Sequence, residues 1–184
     1  MNLVEEAKLG NEEAFNMLIE ENKLKMYKVA KSILKNEDDV CDAIQNALIS
    51  TYTNLNKLQN NQFFSTWMIR ILINKCYDIA KANQKIYSNV TDISEYNSDD
   101  NLKKYDTYDS DSIIENVLNH IDDDLKTITI LYYYNDYSVN EISKILEVPE
   151  GTVKSRLSRA RSKIYEIIKS EEDVIWWTIL KKKK

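Results

Sequence analysis

A chain of 184 residues suits one domain or two small ones. With only two glycines, one proline and 43% apolar residues, it has too few turn formers for anything but an all-helical fold. Two cysteines, Cys41 and Cys76, and a single histidine, His120, give neither a zinc-ligand pattern nor a disulfide framework. The simplest state for the cysteines is two buried thiols in a reducing cytoplasm, and His120 reads as a helix-end residue. The formal net charge of −5 is unevenly placed. Residues 1–85 hold 11 acidic and 11 basic side chains and residues 113–184 hold 12 of each, so the excess lies in 86–112, with 7 acidic against 2 basic. The opening MNLVEEAKLG lacks the basic and apolar blocks of a signal peptide, and no apolar run approaches transmembrane length; a cytoplasmic protein is expected.

In chain order, Asn11 is a good N-cap for a helix whose first turn carries Glu12 and Glu13, favourable at the positive end of the helix dipole. Phe15, Leu18, Ile19, Met26, Val29, Ala30, Ile33 and Leu34 keep helical spacing along it. Asn36-Glu37-Asp38-Asp39 breaks this helix and opens the next, which is striped by Val40, Ile44, Ala47, Leu48, Thr51 and Leu55. Asp42, Gln45 and Asn46 fall off that stripe as a polar patch. After the loop 56–62 comes FFSTWMIRILINKCYDIAKA, apolar nearly all round, the mark of a helix buried in a bundle; Trp67 is read here as core.

Residues 86–112 lack helical period and are rich in Ser, Asn and Asp, the composition of a flexible linker. Its acids, Asp99, Asp100, Asp106, Asp109 and Asp111 among them, could shield a basic surface elsewhere in the free protein. Ser112 and Glu115 form a capping box for a helix with Ile114, Val117, Leu118 and Ile121 inward. Asp122-Asp123-Asp124 suits the first turn of another, carrying Leu125, Ile128, Leu131 and Tyr132.

Ser138 and Glu141 make a further capping box, followed by Ile142, Ile145 and Leu146 on one face. Pro149 suits the start of a second helix, where Val153, Leu157, Ala160 and Ile164 share a face. The opposite side carries Lys154, Arg156, Arg159, Arg161 and Lys163 against the single acid Glu150. Two short helices of this kind, the second one basic, form a helix-turn-helix that places the second helix in the DNA major groove. The tail EEDVIWWTILKKKK joins Trp176 and Trp177 to Lys181–Lys184; packing or a partner contact explains it better than a membrane anchor, for which it is too short.

The run VPEGTVKSRLSRAR resembles the promoter-reading helix of region 4 in sigma factors of the extracytoplasmic-function (ECF) type. NEDDVCDAIQNALISTYTNL followed by FFSTWMIRILINKCYDIA resembles region 2 of the same family. The resemblance implies an all-α protein of two small helical domains: region 2 over 1–85, a flexible acidic linker over 86–112, region 4 over 113–168, and a tail over 169–184. It implies that Lys154, Ser155 and Arg159 face the −35 element, with Arg156 and Arg161 on phosphates. Asn74 and Asp78 would read the −10 element, with Tyr77, Phe63 or Phe64 near enough to stack on unpaired bases. Asp42 and Gln45 would contact core RNA polymerase, with Asn46 where the family usually has glutamate. At Glu147 the family usually has glycine, and a left-handed non-glycine residue costs roughly 1–2 kcal/mol, so a differently built corner is expected there.

The implied function is to bind core polymerase, direct it to promoters and help open the start site. The implied partners are core RNA polymerase, promoter DNA and an anti-sigma protein, often membrane-bound, that could hold the chain at the membrane. No small-molecule substrate, cofactor, metal or catalytic residue is expected: the sequence has no nucleophile–histidine pair and no phosphate-cradling glycine loop. The competing reading is a helix-turn-helix regulator that acts without stable binding to core polymerase.

Overall fold

Three asparagines set the helix starts of the first half, each accepting a hydrogen bond from a backbone N–H that would otherwise lack a partner. Asn2 accepts from Val4 N at 3.1 Å and starts α1 (Leu3–Lys8); Asn11 accepts from Ala14 N at 3.1 Å and starts α2 (Glu12–Ile33); Asn36 accepts from Asp38 N at 2.7 Å and starts α3 (Glu37–Asn54). Gly10, at φ 91°, turns the chain between α1 and α2. Short 3-10 turns at Leu55–Lys57 and Asn61–Phe63 lead into α4 (Phe64–Val90). The structure, a computed structural model, describes residues 2–90, 117–118 and 120–170, with side chains up to 84 and up to 167. The capping box at Ser112 and Glu115, the acids from Asp92 to Asp111, and the tail with Trp176, Trp177 and Lys181–Lys184 lie outside the described residues. α4 continues five residues past position 85, so 86–90 have helical backbone.

α2, α3 and α4 pack on one another and α1 lies on α2. Met26, Val29, Val40, Met68, Ile69 and Leu72 are at most 1% exposed in their centre. The expected stripes need three amendments. Asn22 is buried among the apolar residues of α2, and Ala43 is buried on α3 while Ile44 and Leu48 are half-buried. α4 is not buried all round. Phe64, Met68, Ile69, Leu72, Ile73 and Cys76 are, whereas Trp67, Ile71 and Ile79 are half-buried and Phe63 and Tyr77 are exposed. The expectation of two buried thiols also fails for one of them: Cys41 is exposed and Cys76 buried. Burial pushes the Cys76 thiol up to about 12, which leaves it a small apolar side chain with no reactive thiolate.

The second body contains α5 (Asp123–Thr129), a π-helical turn at Ile130–Tyr134, α6 (Val139–Leu146) and α7 (Glu150–Ser170). α5 and α6 both pack on α7. The two bodies are docked: α6 lies on α4, and α5 with the π turn lies on α2, so their buried residues form one continuous cluster. Among the described residues no helix is long and apolar enough to cross a membrane.

Candidate nucleic-acid interface

The capping box predicted at Ser138 is present in full. Glu141 N donates to Ser138 Oγ at 3.2 Å, and Ser138 N donates to the Glu141 carboxylate at 2.8 Å. α6 ends at Glu147, which is left-handed at φ 55° and ψ 39°. Its N–H and that of Val148, at 3.1 Å, both return to Ser143 O. This is the usual glycine-type helix ending, built here with glutamate, so the corner is not constructed differently as its sequence suggested. Pro149 then stands just before α7 as its cap, its carbonyl accepting from Thr152 N at 2.9 Å and Val153 N at 3.2 Å.

α7 sorts its side chains as its spacing requires. Val153, Leu157, Ala160 and Ile164 are buried at 2% exposure or less, and Lys154, Ser155, Arg159 and Arg161 are exposed. Ser155 Oγ donates to Thr152 O at 3.0 Å, Arg161 Nε to Leu157 O at 3.4 Å, and Lys154 lies 3.9 Å from Glu150. Arg156 is set apart: its guanidinium is 3.1 Å from Asp124, with 26% of the side chain exposed. Lys163 likewise meets Asp122 at 2.6 Å. The acids that open α5 therefore also hold one edge of α7. The outward surface is left to Lys154, Ser155, Arg159 and Arg161.

On α4, Asn74 and Asp78 are one turn apart and exposed. They line a cleft of about 370 Å³ with Ser50, Asn54, Lys57, Trp67, Ile71 and Lys75. The cleft combines amide groups that can hydrogen-bond a base edge in either direction, an aromatic face for stacking and two cations for phosphate. Trp67, read from sequence as core, is the aromatic in it. The other aromatic candidates are placed elsewhere. Phe64 is 4% exposed. Phe63 has the Lys144 ammonium 4.4 Å from its ring centroid.

Tyr77 does not line the cleft; it faces the second body. Burial pushes its hydroxyl above the ordinary phenol range; the Thr127 side chain beside it opposes the shift, Asp124 and Asp123 add to it, and Arg156 opposes it. On α3, Asp42, Gln45 and Asn46 are all exposed, and they continue into Ile49 and Tyr52, which are 65% and 48% exposed. Those two apolar residues widen the patch. Their exposure could not be read from the sequence, because Ile49 and Tyr52 sit beside the stripe that forms the core.

Comparison with known proteins agrees with this geometry. The Sigma-70 region 2 family matches residues 18–86 and the Sigma-70 region 4 family matches residues 112–164. The ECF RNA polymerase sigma factor SigW of Bacillus subtilis is 28% identical over 172 residues, covering 86% of this chain and 90% of that protein. The ECF RNA polymerase sigma-E factor of Haemophilus influenzae is 27% identical over 173 residues, covering 88% and 91%. Two solved structures share the fold. The sigma factor RpoE of Bartonella quintana, in complex with the anti-sigma factor NepR, has a TM-score of 0.70 at 21% identity over 84% of this chain and 96% of that one. CnrH, in complex with the cytosolic domain of CnrY, has a TM-score of 0.68 at 20% identity over 91% and 96%. With both helical bodies matched in order and along nearly their full length, the chain belongs to the sigma-70 family, as a sigma factor of the ECF type.

Proposed function

We propose that this ECF sigma factor divides its work between the two exposed surfaces just described. It binds core RNA polymerase, directs it to promoters by reading −35 and −10 elements, and promotes initiation. In this reading residues 1–85 are the region 2 domain, 86–112 the linker, 113–168 the region 4 domain and 169–184 a tail. Lys154, Ser155 and Arg159 read −35 base edges, Arg161 and Arg156 serve the phosphates, and Asn74 and Asp78 read the −10 element. Tyr77 would join them only in a state where α4 is freed from the second body. Asp42, Gln45 and Asn46 contact core polymerase, with Ile49 and Tyr52 as apolar neighbours. The chain carries out no covalent chemistry of its own, since catalysis belongs to the polymerase. It works in the cytoplasm, and an anti-sigma protein, of the kind seen with RpoE, is its expected regulator.

The observation that carries this reading is the pairing of two different DNA-facing surfaces in one chain. The α7 surface is a charged convex helix suited to an intact major groove. The α4 cleft is concave and amide-lined, suited to bases taken out of the stack. The test is transcription by purified core enzyme on a genomic promoter library, with and without the protein. A defined set of start sites appearing only when the protein is present supports the reading. Specific DNA binding that does not require core enzyme would favour the simple regulator instead.

A further inference from the structure

A second cleft, of about 480 Å³, shares Trp67 and Lys57 with the first but is not lined by Asn74 or Asp78. Both bodies line it: the loop after α3 and the start of α4 from one, Lys144 of α6 from the other. Its charge is one-sided. Lys57, Arg70 and Lys144 line it and no carboxylate does, whereas Asp78 lines the first cleft. Arg70 is ion-paired with Glu147, the corner residue. Among the described residues neither lysine has an acidic partner. Lys144 has only the Phe63 ring, 4.4 Å away at its centroid, a weak attraction at an exposed site.

The wall of this cleft is held in place. Lys8 of α1 donates to Leu58 O at 2.6 Å and to Asn61 Oδ1 at 2.7 Å, which ties the loop to the bundle. Asn60 Oδ1 accepts from Gln62 N at 3.0 Å, leaving its amide NH2 as a donor. Thr66 adds a hydroxyl and is itself 7% exposed. Phe63 and Trp67, four residues apart, stay exposed and half-buried beside these polar groups.

This donor set selects a class of ligand. With no carboxylate in the lining, a hard cation finds none of the charged oxygens it needs, while the cations suit an anion. Bare phosphate would leave both rings unused, and an apolar molecule would leave three cations unanswered. A planar ring that carries phosphate uses both, by stacking and by charge-assisted hydrogen bonds. Small-molecule sites usually enclose about 300–1,000 Å³, so the volume suits one nucleotide.

We propose that this cleft binds a free nucleoside polyphosphate, its base against Phe63 and Trp67 and its phosphates among Lys57, Arg70 and Lys144. The binding does not rest on the promoter assignment above. Because Glu147 already holds Arg70, that carboxylate competes with the phosphates.

The test is isothermal titration calorimetry on the free full-length chain, with ATP and GTP as probes. Adenosine, inorganic tripolyphosphate and a four-residue oligothymidylate are the comparison ligands. One nucleotide per chain is expected, bound at least about tenfold more tightly than adenosine or tripolyphosphate. K57E and K144E should each weaken it by about tenfold, the effect of losing one hydrogen bond to a charged group. F63A should remove much of the advantage over tripolyphosphate, E147Q should tighten binding severalfold, and K81E, on an exposed lysine outside the cleft, should change nothing. All the substituted side chains are at least one-third exposed, and circular dichroism checks that each variant folds. The proposal is overturned by no saturable binding at millimolar nucleotide, or by tripolyphosphate binding as tightly as ATP, the mark of an indiscriminate basic patch. It is equally overturned if K144E folds and binds as the parent does, or if only the oligonucleotide binds.

Discussion

The two helices assigned to DNA, α4 and α7, handle their apolar residues in opposite ways. α7 is packed along one side by α5 and α6, with a narrow buried face and charge around the rest. α4 has α2 and α3 on one side, α6 on a second, and the cleft on a third. It is rich in apolar residues because two of those surroundings are protein and the third holds Trp67 and Ile71. The difference matches the substrates proposed for them. A helix entering an intact groove needs outward charge to neutralise phosphate, while a cleft for unstacked bases needs a partly apolar wall and a few hydrogen-bonding groups.

The sharpest way to break this contrast is to truncate neighbouring residues of α4. Leu72→Ala should cost about 2–5 kcal/mol, because it empties space in a fully buried position. Ile71→Ala, on the cleft wall, should stay within about 1 kcal/mol. Urea unfolding of both variants decides the matter, and equal losses would mean that the cleft face is core. On α7 the corresponding contrast is between arginines. Arg159→Ala should lose about 1–3 kcal/mol of discrimination at the −35 element, read as promoter selectivity with core enzyme present. A change under roughly fivefold would count against that assignment. Arg161→Ala should shallow the salt dependence of binding by about 0.9 in log–log slope. Arg156→Ala should shallow it less, since Asp124 already holds that guanidinium.

What could be read from the sequence, and what could not, divides by range of interaction. The asparagine caps at Asn11 and Asn36, the Ser138–Glu141 box and the buried face of α7 depend on residues within a few positions of one another. Periodicity and capping rules describe them well. Asn22 was missed because it occupies a stripe position with a polar side chain, and the partner that explains it, Ser65, lies on another helix. The acids at Asp122 and Asp124 read as a helix start, which they are, but their ion pairs with Lys163 and Arg156 reach across to α7 and leave no local trace. Cys41 and Tyr77 were misjudged for the same reason. An apolar or small residue on a helix does not reveal whether its face meets core, solvent or a second body. Of the candidate site, the outward face of α7 and the polar patch of Asp42, Gln45 and Asn46 were legible, whereas the exposure of Asn74 and Asp78 and the cleft around Trp67 and Lys57 required the fold.

The smallest effect is expected at Glu147, where three terms nearly cancel. A left-handed glutamate costs roughly 1–2 kcal/mol that glycine would recover. Glycine in turn loses more backbone freedom on folding, by about 0.5–1 kcal/mol. The ion pair with Arg70 is largely exposed, its side chains 41% and 66% accessible, and such pairs contribute about 0–1 kcal/mol. Glu147→Gly should therefore move the unfolding free energy by less than about 1 kcal/mol, even though it removes a contact between the two bodies. Denaturant midpoints at matched m-value measure this directly. A loss well above 1 kcal/mol would show that the docked arrangement adds to the stability of the whole chain and that the two bodies unfold together. A gain of the same size would show that the corner strain outweighs anything Arg70 returns, so the glutamate at this position is retained at a net cost to the fold.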